Sequence, residues 1–134
     1  MGSIRIGRFD DFKGLNTLLI EADEEGLESL IELIRQVERS GQSSRLDQCP
    51  GAILYGSVSV IAERSPDDIG VVAPNGRDFV WRRSPLAWTE VVEKLQAMQN
   101  AGPCHQYVGG PTDHLQVMIA KGEYGDAWWK RHAG

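Results

Sequence analysis

Cys104 and His105 are adjacent residues whose types could act as nucleophile and base. The segment reads as a strand, and strand neighbours point to opposite faces, so the two side chains are not expected to meet. A buried cysteine beside a hydrogen-bonded histidine is the expected arrangement. His105 and His114 flank one hairpin and could approach across it. A metal would need three or four ligands; only Cys104 and Asp113 are near in sequence, and the spacing matches no zinc-finger or metalloprotease pattern. Gly109-Gly110-Pro111 lacks the Lys and Ser/Thr of a phosphate loop. Ser43, Ser44, Ser57 and Ser59 lack the Gly-x-Ser-x-Gly elbow of a hydrolase. No catalytic constellation, metal site or cofactor is therefore expected, and the chain reads as a non-enzyme. An enzyme using His105 or His114 as general base is the least favoured reading.

Residues suited to holding a partner are easier to find. Glu25, Glu28 and Glu32 follow the three- and four-residue spacing of one helix face. Such a face is commonly just solvated, but it could also dock a basic protein. Trp128-Trp129 lies near the end of the chain, where a fraying tail has little use for two large aromatics. One or both should pin the tail against the body or against a second subunit, which would make the chain a homodimer. The sharper reading is a partner hot spot, in which tryptophan is enriched. A small-molecule-binding or regulatory domain is the alternative, with a ligand held between sheet and tail by Tyr107, His114 and Trp129.

Charge supports the protein-partner reading. The chain of 134 residues carries a formal charge of −5. Residues 1–67 hold 12 acidic and 7 basic side chains, whereas residues 68–134 hold 7 of each. Polyphosphate binding needs the opposite sign, so no nucleic-acid partner is expected; a basic protein would be attracted. Two cysteines are too few for a disulfide scaffold. No apolar run approaches the roughly 18 residues of a membrane span, and residues 1–11 lack the apolar stretch of a signal peptide. A cytoplasmic location with no membrane partner is expected.

The elements that would position these residues occur twice. Shifting the sequence by about 61 residues sets Asp23 on Ser84, Leu27 on Trp88, Leu30-Ile31 on Val91-Val92, Ile34 on Leu95, Val37 on Met98 and Gly41 on Gly102. Helix caps, apolar stripes and stops coincide. An insertion near Ile53-Leu54-Tyr55-Gly56 then restores the match of Val58-Ser59-Val60 to Leu115-Gln116-Val117. Each half reads as strand–strand–helix–strand–strand. The strands are expected at Ile4–Ile6, Thr17–Ile20, Arg45–Leu46 and Ser57–Ala62, then Ile69–Val72, Phe79–Trp81, His105–Val108 and Leu115–Ile119. Helices are expected over 24–40 and 85–101, Pro74-Asn75-Gly76 as a turn, and a short helix in the tail. The expected fold is α+β: a single domain over 1–134, internally duplicated as 1–67 and 68–122 with a tail 123–134, its two helices packed on one face of a mostly antiparallel sheet.

The helix from Pro85 to Ala101, Gly102, Cys104-His105-Gln106-Tyr107, Gly109-Gly110 and Leu115–Ile119 resemble bacterial immunity proteins of polymorphic toxin systems. That resemblance implies a small, acidic, cytoplasmic α+β domain that binds and neutralises a cognate toxin. The partner-binding residues expected on this reading are Glu25, Glu28, Glu32, Tyr107, His114, Trp128 and Trp129.

Overall fold

The computed structural model describes residues 2–12, 14–56, 58–73, 78–110 and 115–132. Strands β1 (Ile4–Phe12) and β2 (Leu15–Ala22) lead into helix α1 (Glu24–Ser40). Strands β3 (Ser44–Arg45), β4 (Ala52–Leu54), β5 (Ser59–Arg64), β6 (Gly70–Val72) and β7 (Asp78–Arg83) follow, then helix α2 (Pro85–Met98). Strands β8 (Cys104–Tyr107) and β9 (Gln116–Lys121) and helix α3 (Asp126–His132) complete the chain. The fold is α+β, as expected. The single sheet is corrected to two, with strand orders β4-β1-β2-β9-β8 and β3-β5-β7-β6. Both sheets are mixed: β1–β4, β2–β9 and β5–β7 run parallel, and the other four strand pairs are antiparallel.

Each sheet takes one hairpin from each half, and the two sheets match position by position. In the first, β2 pairs Leu18 with Val117 and Ile20 with Ile119 of β9. In the second, β7 pairs Phe79 with Val60 and Trp81 with Ala62 of β5. The flanking pairs correspond as well: β1–β2 to β6–β7 and β8–β9 to β3–β5, all antiparallel. The insertion near Ile53 builds β4, an extra edge strand that runs parallel to β1. Asp23 caps α1 by accepting from Gly26 N at 2.7 Å, and Ser84 caps α2 by accepting from Ala87 N at 3.2 Å. A strand-end cation meets each helix's last carbonyls. Arg64 donates to Glu38 O, and Lys121 to Met98 O and Ala101 O, where the helix dipole favours positive charge.

One core joins both helices to the inner faces of both sheets. Leu27, Leu30, Ile34, Trp88 and Leu95 are fully buried in it, together with Ile4, Ile20, Val60, Phe79, Trp81 and Val117. The helices run antiparallel, since Glu24 reaches Asn100 N and Glu38 reaches Thr89. The outer face of the first sheet is covered too, by α3 over Leu19, Met118 and Ala120. This explains why Leu18-Leu19-Ile20 and Val117–Ala120 are unbroken apolar runs. By contrast, β5 alternates buried Val60 and Ala62 with half-exposed Ser59, Ile61 and Glu63.

Two expected boundaries move. Helix α2 ends at Met98 rather than at Ala101, with Gln99 extended and Asn100 in the left-handed region at φ 63°. Asparagine tolerates that conformation through its short polar side chain, so Gly102 is not the stop. Gly41 does end α1, at φ 75°. Strand β3 stops at Arg45, and Leu46 opens a short 3-10 turn. The expected turn at 74–76 lies outside the described residues.

Candidate partner-binding face

Helix α1 presents its polar side as the apolar stripe demands. Leu27, Leu30, Ile31 and Ile34 are buried, which turns Glu25, Glu28 and Glu32 outward. These three carboxylates line a concave groove of about 820 Å³. Gln96 and Gln99 from the end of α2 form its second wall, with Pro50 and Gly2 at the side. Arg35 is the one cationic side chain among the described lining residues. The groove exists because the helices are antiparallel: the start of α1 lies beside the end of α2. Glu24, at the start of α1, is committed elsewhere. It pairs with Lys121 and accepts from Asn100 N, and the Lys121 contact holds its carboxyl below the usual range.

Tyr107 stands apart from this face. It is 44% exposed and lines a second concavity of about 470 Å³, along with Leu15, Arg83 and Lys94. The cations here already have protein partners. Arg83 is bidentate to Asp68 at 2.5 and 3.1 Å and donates to Val108 O at 2.7 Å. Lys94 donates to Tyr107 O at 3.1 Å. His114 and Asp113 lie outside the described residues.

The two tail tryptophans are divided between inside and rim. Trp129 is fully buried, stacks on Tyr55 at 4.9 Å and donates its indole N–H to Tyr124 O at 3.1 Å. It pins the tail to the body of the same chain and offers no surface to a partner or ligand, which corrects both binding readings of that residue. Trp128 is half-buried among Phe9, Phe12, Tyr124 and His132.

The chemistry-bearing pair is separated as the strand geometry requires. Cys104 packs against the main core. His105 turns its Nδ1 to the Glu123 carboxylate, at 2.9 and 3.1 Å, and lies edge-on to Tyr107 at 5.3 Å. Burial, with Asp47 nearby, pushes the Cys49 thiol up to about 11, far from a reactive thiolate. Among the described residues, no group of three His, Cys, Asp or Glu side chains could hold a metal. No helix among the described residues is long and apolar enough to cross a membrane.

Sequence reasoning missed Gln96 and Gln99 as a groove wall, and no local pattern marks them. It also missed Glu21. That residue is 5% exposed, and burial pushes its carboxyl up to about 7 against the pull of the Gly122 and Tyr124 N–H groups. An acid closing the apolar run Leu18–Ile20 was the available signal. Comparison of the chain with protein-family models, with curated proteins and with solved structures finds no match.

Proposed function

We propose that this chain is an immunity protein, a non-enzymatic inhibitor that binds a cognate bacterial toxin domain and occludes its active site. The acidic groove between α1 and the end of α2 carries this reading. It sets three carboxylates against one guanidinium in a concave wall, a shape and charge that suit a basic segment of another protein. The acidic excess of the first half adds a longer-range attraction for such a partner.

We also infer that residues 1–67 and 68–122 descend from one ancestral unit. Equivalent strand registers, helix caps and carbonyl-capping cations support this. On that reading only part of the acidic wall is repeated in the second half, where Glu93 matches Glu32. The positions matching Glu25 and Glu28 hold Leu86 and Thr89 in α2, where Thr89 Oγ1 donates to Glu38 at 3.1 Å.

The test first asks whether a gene neighbouring this one encodes a toxin, and then uses that toxin domain. Replacing Glu25, Glu28 and Glu32 together by Gln should slow association at low salt, on the order of tenfold, because charges at an interface rim chiefly steer encounter. Added salt should slow the wild type in the same way. Stopped-flow fluorescence measures the rate. An unchanged rate in the triple variant rejects this face, and an absence of binding rejects the inhibitor reading for that toxin.

A further inference from the structure

The outer face of the first sheet carries a row of residues that crosses four strands. Arg5 is opposite Glu21, Glu21 opposite Ala120, and Ala120 opposite His105. The chain after β9 runs over this row and is tied to each polar member. Arg5 donates to Asp126 at 3.2 Å. Glu21 accepts from Gly122 N at 2.6 Å and from Tyr124 N at 3.2 Å. His105 holds Glu123. Beyond these ties, Trp129 fills the apolar ground over Leu19, Met118 and Ala120.

We propose that residues 122–132 form a strap whose docking is controlled by the protonation of Glu21, and that the strap opens as this carboxylate ionises. The opened state would expose Leu19 and Met118 on the sheet. Glu21 is the one tie that is deeply buried, and its charged form is the costly one there. Facing it are Arg5 from β1 and, from the strap, Glu123, while Asp126 is held on Arg5. Lys121 of β9 is turned to Glu24 and the end of α2, Lys130 of α3 to Asp126, and His105 of β8 to Glu123. Glu123 further disfavours the Glu21 charge. Arg5 supplies a second stable arrangement. With the strap docked, its guanidinium is drawn to Asp126 and its Nε has no hydrogen-bond partner. With the strap released, Arg5 can turn to Glu21, its cross-strand neighbour, because opposed side chains on one sheet face are within reach.

The direction follows from linkage. The docked carboxyl titrates at about 7, above the ordinary 4.5. Its contribution to docking is complete below the ordinary value and is lost as pH rises through 7. Between pH 6 and 8 the opening constant should rise about tenfold. His105 also holds the strap, through Glu123, so it must be tested separately.

Hydrogen exchange of the Gly122, Tyr124 and Trp129 amides reads the opening constant, after correction for the intrinsic rate and with β2 amides as reference. The wild type should show the tenfold rise from pH 6 to 8. Glu21→Gln should reduce it to below about twofold, and His105→Gln should retain it. A wild-type change below about twofold overturns the proposal, as does a Glu21→Gln variant that keeps the full pH dependence. If Glu21→Gln does not fold, carbon NMR of the wild-type Glu21 carboxyl decides. A midpoint near 7 that coincides with strap opening supports the device; a midpoint below about 5 overturns it.

Discussion

Leu30 and Val91 occupy matching places on the two helices and are 0% and 2% exposed. Both face the shared core, so truncation leaves a cavity that close-packed neighbours fill only partly. Leu30→Ala should cost about 2–5 kcal/mol, and Val91→Ala less because it removes fewer atoms. Denaturant midpoints of the two variants check this. A Leu30→Ala change within about 0.5 kcal/mol of wild type would mean that the stripe does not carry the core. Burial also explains why residues of one type have different roles. Glu21 is enclosed and holds the strap, whereas Glu28 and Glu32 are exposed and line the groove.

At the scale of elements, the two helices share a cap position but not a cap strength. The Asp23 carboxylate accepts from Gly26 N and also from Ser3 N at 3.0 Å, so it fixes both the helix start and the chain entering β1. The Ser84 hydroxyl accepts from Ala87 N alone among the hydrogen bonds described for it. Asp23→Ala should therefore cost more than Ser84→Ala, about 2 against about 1 kcal/mol. Thermal or urea unfolding of the pair gives the ranking; equal losses would show that the Ser3 contact adds nothing. Strand β4 occurs in the first half only, and helix α3 belongs to the tail. Both pack on the first sheet, and this is why that sheet has five strands and two covered faces whereas the second has four strands and an open face.

For the whole molecule, the exchange of hairpins between halves has a folding consequence. The central pairs β2–β9 and β5–β7 both join one half to the other. A fragment of residues 1–67 or 68–134 would leave both half-sheets unpaired at their central strands and α1 or α2 uncovered. Each fragment alone should be largely unfolded, with little chemical-shift dispersion, while the intact chain unfolds in a single urea transition. A fragment with native-like dispersion would contradict this account. The same shared construction places the start of α1 beside the end of α2, and so creates the groove that no single half contains.

Much of this fold was legible in the sequence because its signals are local. The stripe Leu27-Leu30-Ile31-Ile34-Val37, the caps Asp23 and Ser84 and the stop at Gly41 depend on residues within a few positions of one another. That one or both of Trp128 and Trp129 pin the tail was legible, but which of them is completely buried, and against what, was not. Pairing between strands a hundred residues apart is not local. Sequence could not tell one sheet from two, because Leu18 opposite Val117 and Phe79 opposite Val60 suit either arrangement. The acids of the candidate face were readable as one helix side, yet the opposing Gln96 and Gln99 came only with the antiparallel helix packing. Glu21 shows the limit most clearly: its neighbours in sequence mark it as the end of a strand. Only the return of Gly122 and Tyr124 over it makes it a buried carboxylate, because burial is a property of what the folded chain brings from far away.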